Sequence, residues 1–175
     1  TLTGRVARPT VAGTVRVAKV DTDQNVRTAA RFNVRSMPTL LFFKGGQPVA
    51  QYAYQLESIT TLNAIDPATG DDFSATNQGR SIGLSAIHAL SDSEFLVLER
   101  DNRGLGVEVT AAPLHKRIYR ISLVGATDVS AISFANSNAL PAGVVPVRKS
   151  AEVDLIAQLR SVGVQDIPEK LEGLA

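Results

Sequence analysis

The sequence predicts a mostly β, α+β chain in which a β-α-β-β unit is joined to an antiparallel β-meander. Short segments that alternate apolar and polar residues are separated by turn-forming residues, and one early segment has helical spacing instead. The charge also changes sign along the chain. Residues 1–51 carry eight Lys and Arg against two Asp, a net +6, whereas residues 52–175 carry ten against fifteen Asp and Glu, a net −5. We therefore predict two domains, residues 1–51 and residues 52–175.

The first part begins with residues 1–13, which show no clean period and are interpreted as an arm or an edge strand. Residues 14–20 alternate apolar and polar side chains, which predicts a strand. Residues 25–32 place apolar side chains at helical spacing behind two aspartates that can act as caps. A short helix is therefore predicted after the first strand.

A hairpin is predicted next. Residues 39–44 form an apolar run that Pro38 precedes, which is typical of a buried strand. Gly45 and Gly46 predict a tight turn, and residues 47–51 are then the returning strand.

The segments VAKVDTDQN (residues 17–25) and ARFNVRSMPTLLFFKGG (residues 30–46) resemble the C-terminal half of thioredoxin. The resemblance extends over about residues 14–51, and in that family the proline that matches Pro38 faces the redox disulfide. The half of the family pattern that carries the redox cysteines is absent. The resemblance therefore implies a packing unit without redox activity.

The second part is predicted to be rich in strands. Residues 52–56 and 59–65 are strand-like in composition. Residues 82–90 and 95–99 flank a short polar turn, which predicts a hairpin, and residues 117–123 alternate as a third antiparallel strand. Three such strands at short spacing predict a meander, the unit of a propeller blade or a sandwich.

The remainder of the chain has weaker patterns. Residues 130–145 are small and turn-rich, which predicts a long loop, and residues 145–149 are interpreted as a short edge strand. Residues 153–159 have apolar side chains on a helical face, so we predict a short helix that ends at Gly163.

The stretch FLVLERDNRG at residues 95–104 is the main candidate for chemistry. A strand-like apolar run passes after Glu99 into charged residues, an asparagine and a glycine. A loop of carboxylates and guanidiniums at a strand end can hold a metal ion or an anionic ester. The alternative is a structural loop of local ion pairs and turn caps.

Five separated segments resemble, in order, the phytase-like, esterase-like β-propeller family. They are NQGRSIGLSA (77–86), FLVLERDNRG (95–104), KRIYRI (116–121), ATDVS (126–130) and PEKLEGLA (168–175). The resemblance covers about residues 52–175 and implies an incomplete propeller. It also implies metal-assisted hydrolysis of esters or phosphoesters, with Ca²⁺ as the metal.

The resemblance implies site residues as well. The catalytic candidates are Glu99, Asp101, Arg103 and Arg80, and the metal-ligand candidates are Asp101, Asn102, Glu169 and Glu172, with Glu99 as a further oxygen ligand. Lys170 joins the two arginines as a candidate contact for the anion of a phosphorylated or ester small molecule.

Two histidines and a serine are the other residues with catalytic potential. Ser85 and His88 are three residues apart on a predicted strand, so they point to opposite faces and cannot form a nucleophile–base pair. We expect His88 to be packed in its strand. His115 lies in a predicted loop and is expected to be exposed.

The composition excludes some functions. The 175 residues, 44% hydrophobic and 20% charged, are typical of a globular protein, and the absence of cysteine excludes a thiol oxidoreductase. No apolar run approaches the roughly 18 residues of a membrane span and no signal-peptide pattern is present, so we expect a soluble chain of unassigned compartment. The scattered basic residues lack interleaved aromatics, so nucleic-acid binding is not expected.

Two hypotheses remain open. The first is a hydrolase of the phytase-like class whose activity is weakened or lost through truncation. The second is a non-catalytic hybrid, a scaffold or an oligomerising binding module. In both, uncovered strand edges lead us to expect self-association.

Overall fold

The computed structural model describes residues 25–32, 34, 39–44, 47–67, 73, 82–106, 111–134 and 139–174. Over these residues the helices are α1 (Val26–Arg31), α2 (Ile59–Asn63) and α3 (Leu155–Ser161). The strands are β1 (Thr39–Lys44), β2 (Gln47–Ala53), β3 (Ile82–Ala89), β4 (Glu94–Asp101), β5 (Lys116–Ser122) and β6 (Arg148–Asp154). They form two antiparallel sheets, neither of which closes on itself, which confirms the α+β, mostly β class. None of the helices in this part of the chain is long and apolar enough to cross a membrane.

The first sheet is the predicted hairpin. β1 and β2 pair antiparallel, with Leu40 opposite Tyr52. Phe32, directly after α1, contacts Phe43 edge to face with 5.0 Å between the ring centroids, so the helix lies against the hairpin. The predicted helix and both hairpin strands are confirmed. The arm and the strand predicted within residues 1–20 lie outside the described residues.

The strand predicted over residues 59–65 is wrong, because the chain forms α2 there. The hydroxyl of Ser58 accepts a hydrogen bond from the backbone N–H of Thr61 at 3.0 Å, which caps the first turn. Leu62 is fully buried in a small cluster with Phe73. The β-branched residues of this segment suggested a strand, but burial of one helical face and a capping serine decide the local structure.

The second sheet contains the predicted three-stranded meander and adds a fourth strand, β6. Its four strands lie in chain order, β3-β4-β5-β6, and all pairs are antiparallel. β4 continues to Asp101 rather than ending at Glu99, and Arg100 lies opposite Lys116 on β5. The prediction that the charged residues begin a loop at Arg100 is therefore wrong by two residues, because cross-strand pairing extends through them.

The predicted edge strand over residues 145–149 is found as β6, displaced toward the C-terminus. α3 follows directly. The carboxylate of Asp154 accepts a hydrogen bond from the N–H of Ala157 at 3.0 Å, and Gly163 adopts φ +86° after the last turn. The predicted helix and its glycine end are confirmed, with the helix beginning two residues later than expected.

One hydrophobic core joins the hairpin to the meander. Tyr54, which follows β2, is buried with Phe95 and Ile121 of the meander, and Phe42 of β1 packs against this group. β2 runs through residue 51, and its end is hydrogen-bonded to the second sheet's loops, for example from the N–H of Val147 to the carbonyl of Ala53 at 2.9 Å. The division into two domains stays a prediction, since the described residues on both sides of residue 51 share a core.

Candidate functional site

The charged end of β4 lies inside the molecule. Glu99 and Asp101 are 0% exposed and Arg100 is 8% exposed. A buried charge is tolerated only when it is paired and hydrogen-bonded. The structure pairs these residues in two groups. The Glu99 cluster consists of Glu99, Tyr54, Glu57, His115, Tyr119 and Lys149, and the β4-end cluster consists of Arg100, Asp101, Asn102, Lys116, Glu169 and Glu172.

Four donors surround the carboxylate of Glu99. Its Oε1 accepts hydrogen bonds from the backbone N–H of Glu57 at 2.9 Å and from Nε2 of His115 at 3.0 Å. Its Oε2 accepts from the hydroxyl of Tyr54 at 2.6 Å and from Nζ of Lys149 at 3.0 Å. The carboxylate therefore has donors on both oxygens and no contact with solvent, which suits a structural anchor better than a base that must reach a substrate.

The ammonium group of Lys149 lies between two aromatic rings. Its Nζ is 4.3 Å from the ring centroid of Tyr119 and 5.1 Å from that of Tyr54. The hydroxyl of Tyr119 in turn donates to Oε2 of Glu57 at 2.7 Å, and the same carboxylate oxygen is 3.9 Å from Nζ. The lysine thus links residues of the segment after β2 to the meander.

These contacts shift the ionisation of the cluster. Burial alone would raise the pKa of Glu99, but the hydrogen bond from His115 and the charge of Lys149 outweigh it and lower the pKa. Burial and the neighbouring Glu99 carboxylate raise the pKa of Tyr54, and burial and the hydrogen bond to Glu57 raise the pKa of Tyr119. At neutral pH the carboxylate is therefore ionised and both phenols remain donors.

His115 is completely buried, so the expectation that it is exposed is wrong. It directly precedes β5, and its backbone N–H and carbonyl both bond to Asp101, which fixes the backbone that carries the ring. Because Glu99 is an acceptor, we assign the ring proton to Nε2. Nδ1 has no hydrogen-bond partner.

Asp101 and Lys116 form a second buried ion pair, with 2.9 Å between Oδ1 and Nζ and both side chains 0% exposed. Oδ2 of Asp101 accepts hydrogen bonds from the backbone N–H groups of Leu114 at 2.7 Å and His115 at 2.9 Å. Nζ of Lys116 also donates to the carbonyl of Glu169 at 2.8 Å. Burial lowers the pKa of Lys116, and the Asp101 carboxylate opposes that shift. The pair ties the end of β4 to the C-terminal segment.

Arg100 occupies the opposite face of β4. Its guanidinium donates to the side-chain oxygen of Asn102 at 2.5 Å and to the carbonyl of Asp101 at 3.1 Å. It also lies 3.7 Å from the carboxylate of Glu172, which is 59% exposed. Arg100 and Lys116 therefore occupy positions next to the side-chain oxygens of Asn102 and Asp101, which were predicted to bind a metal ion.

The loop after β4 and the C-terminal segment approach each other closely at two glycines. Leu105 pairs with Pro168 in an isolated parallel bridge. Gly104 adopts φ +124°, and a Cβ there would come within 2.6 Å of the carbonyl of Ile167. A Cβ on Gly106 would collide with the carboxylate of Glu169. Glycine is needed at Gly104 because of its positive φ and the close approach of the C-terminal backbone, whereas at Gly106 it leaves room for the side chain of Glu169.

The other predicted site residues are only partly brought together. Arg103 lies beside this loop and its Nε donates to the carbonyl of Ala112 at 2.9 Å. Lys170 is 63% exposed and 3.8 Å from the carboxylate of Glu169. Arg80 lies outside the described residues. Within the described ranges, no group of three or more His, Asp or Glu is arranged to hold a metal ion, so the metal ligands stay a prediction.

A pocket of about 360 Å³ opens beside the Glu99 cluster. Its walls come from the segment after β2 and from the beginning of β6, namely Gln55, Leu56, Glu57, Ser58, Val147 and Lys149. It presents one carboxylate and one ammonium group next to two apolar side chains. Such a surface can orient a polar group, whereas Glu99 behind it is out of reach.

Sequence reasoning missed Tyr54, Glu57, Tyr119 and Lys149. Tyr119 stands in a predicted strand and Lys149 in a predicted edge strand, but their partners are 62 and 50 residues away in the chain. A local signal exists only for the lysine, which is a charged residue in a strand that packs against aromatic residues. No local pattern indicates that these side chains meet.

The comparisons with known proteins match both predicted resemblances. A family model named Phytase-like, described as "Esterase-like activity of phytase", matches residues 16–175. Thioredoxin from Synechocystis sp. is 54% identical over 54 residues, which is 31% of this chain and 50% of that protein. Thioredoxin from Haemophilus influenzae is 43% identical over 58 residues, 33% of this chain and 54% of that protein. The chain spans about half the length of these relatives.

No solved structure matches the chain. The family match begins at residue 16 and therefore includes the segment that resembles thioredoxin. Since it extends over nearly the whole sequence, the chain belongs to the phytase-like family, whose description is the esterase-like activity of phytase.

Proposed function

We propose that the chain takes part in the hydrolysis of an ester or phosphoester of a small molecule, at the end of β4. Membership of the phytase-like family supports the reaction class. The observation that carries the location is the meeting of the loop after β4 with the C-terminal segment through the bridge between Leu105 and Pro168. This contact gathers candidates that lie more than sixty residues apart in the chain.

We assign the binding of the substrate's anionic group to the basic residues near the end of β4. Lys170 is largely exposed, and Arg103 lies on the loop whose position Asp101 fixes through the ion pair with Lys116. Arg80, outside the described residues, is a third candidate. Glu99 and Asp101 have their oxygens bonded internally, so we assign them the role of positioning residues.

Calcium fits the described donors poorly. It takes six to eight oxygen ligands. Here Oδ1 of Asp101 bonds to Lys116, and the side-chain oxygen of Asn102 bonds to Arg100. A bound cation would have to displace Arg100 or Lys116, so no step of the proposed hydrolysis is routed through a metal. Metal assistance is kept as a proposal that the experiment below tests with Ca²⁺ and a chelator.

The test compares turnover of p-nitrophenyl phosphate and p-nitrophenyl acetate by the whole chain. We expect Arg103→Ala and Lys170→Ala each to lower phosphate turnover about tenfold, because each removes a charged hydrogen bond to the anion. The same substitutions should lower turnover of p-nitrophenyl acetate less, because this ester has no anionic group for Arg103 or Lys170 to bind. Arg120→Ala, which removes an exposed cation paired with Glu152, is the matched control.

Absence of turnover on both esters, with and without Ca²⁺, would contradict the hydrolytic proposal. Equal losses in Arg120→Ala would contradict the assigned location. If Ca²⁺ assists, chelation should lower both turnover and the melting temperature.

A non-catalytic scaffold that associates with itself is the second candidate. The full burial of Glu99 and Asp101 favours it, because both carboxylates act inside the molecule. The strand edges favour it too. Among the described strands, β3 and β6 each pair with one neighbour in the four-stranded sheet.

A further inference from the structure

We infer that the segment after β2 and the meander together form a recognition site for a primary ammonium group, which Lys149 fills as a tethered ligand. The site, called here the ammonium cage, consists of Tyr54, Glu57, Glu99 and Tyr119. This inference does not rest on the hydrolytic proposal, although Glu99 has a positioning role in both.

The geometry of the cage is that of a cation site. Two aromatic rings face Nζ of Lys149, with centroids at 4.3 and 5.1 Å. The carboxylate of Glu99 accepts its hydrogen bond at 3.0 Å, and a carboxylate oxygen of Glu57 lies 3.9 Å away. Aromatic faces combined with carboxylates are the chemistry by which proteins bind ammonium ligands. Tyr119 holds Glu57 in place through its hydroxyl.

The charges in the cage require a cation. Glu99 is fully buried, and its neighbours Tyr54 and His115 supply hydrogen bonds to it. Removing the ammonium group would leave a buried carboxylate without its nearest positive charge, which is strongly destabilising. A neutral molecule of the same shape would fill the space but would not balance Glu99.

The cage has an entrance. Lys149 lines the pocket of about 360 Å³ that opens between the segment after β2 and β6. Replacing Lys149 by alanine removes the three outer carbons and the amine and leaves their space continuous with that pocket. The removed atoms correspond to n-propylammonium, so this ion is the external ligand that should fit.

The experiment measures the melting temperature of Lys149→Ala in the full chain with and without n-propylammonium. We expect the substitution to lower the melting temperature by about 10 °C. Saturating n-propylammonium should then raise it by about 2–4 °C. Sodium chloride at equal ionic strength and n-propanol, which has the same shape but no charge, should not.

Arg120→Ala serves as the matched control, because it removes a cation from an exposed pair with Glu152 and leaves no cage. If Lys149→Ala does not fold alone, its refolding yield with n-propylammonium replaces the melting temperature, and recovery supports the cage. The inference is overturned if n-propylammonium has no effect in either measurement, if n-propanol acts equally well, or if Arg120→Ala responds to the same extent.

Discussion

Glu99 directly follows an apolar run in the sequence, and its carboxylate accepts hydrogen bonds from four donors in three separate parts of the chain. Tyr54 and the N–H of Glu57 come from the segment after β2, His115 from the residue before β5, and Lys149 from β6. The sequence suggests a catalytic role for Glu99, whereas its buried hydrogen bonds in the fold indicate a structural role. At the residue scale, then, chemistry and stability compete for the same side chain.

Glu99 gives a pH-dependent prediction. Its pKa is lower in the folded chain than in the unfolded chain, so its contribution to stability is complete above the unfolded pKa of about 4.3 and is lost as the pH falls through the folded value. We expect Glu99→Gln to lower the free energy of unfolding at pH 7 by about 2–4 kcal/mol and to flatten its decline below about pH 4.

Urea unfolding between about pH 3 and pH 7 checks this prediction. Glu94→Gln is the control, because Glu94 is a half-exposed carboxylate whose nearest cation, Arg120, is 4.0 Å away. A decline below pH 4 that is equally steep in wild type and Glu99→Gln would contradict the role assigned to Glu99.

At the scale of elements, the two outer strands of the meander differ. Four of the seven residues of β6 are charged, a feature that protects an edge from pairing with another chain. β3 contains no Asp, Glu, Lys or Arg in eight residues. Self-association, if it uses a strand edge, is therefore assigned to β3.

A charge placed on β3 should then prevent association. Gly83→Lys is suitable because a Cβ at Gly83 meets nothing within 4 Å, so the new side chain has room. We expect wild type to sediment as more than one copy and Gly83→Lys to sediment as a single copy, because an edge lysine opposes strand pairing. Sedimentation velocity checks this, with Ser150→Lys on β6 as the matched control.

A wild-type chain that sediments as a single copy would contradict self-association. An equal effect of Ser150→Lys would contradict its assignment to β3. Neither sedimentation result bears on the hydrolytic proposal, which the turnover measurements test.

At the scale of the whole molecule, the hairpin packs on the meander. The rings of Phe42 and Phe95 meet edge to face with 5.4 Å between centroids, and both belong to the core that includes Tyr54. The segment that resembles thioredoxin thus packs against the four-stranded sheet. In physical terms, the two parts complete each other's hydrophobic core.

Shared packing predicts shared unfolding. Phe42→Ala should lower the free energy of unfolding of the whole chain by about 2–4 kcal/mol in a single transition, because it opens a cavity between hairpin and meander. Phe43→Ala, the neighbouring residue on the opposite and more exposed side of β1, should cost less than about 1 kcal/mol. Denaturant unfolding followed by circular dichroism and by tyrosine fluorescence checks both.

Two separate transitions, of which Phe42→Ala shifts only one, would contradict a shared core. That outcome would instead support the division into residues 1–51 and residues 52–175 as independent domains.

The sequence by itself determined the elements whose period is local. The hairpin strands, the meander, α1 and α3 follow from apolar alternation and helical spacing. Both family resemblances could be found for the same reason, because each rests on contiguous segments. The candidates at the end of β4 were identified, although not the way in which they are paired.

Only the tertiary structure decided α2, the burial of His115 and the arrangement of the Glu99 cluster. α2 depends on the burial of Leu62, and the cluster joins Glu99 to residues 42 and 50 positions away, Glu57 and Lys149. The apolar periodicity of a segment predicts which face of a helix or strand a side chain occupies, but not which distant residue it contacts. The pairing of buried charges is set by those distant neighbours, so it appears only once the chain has folded.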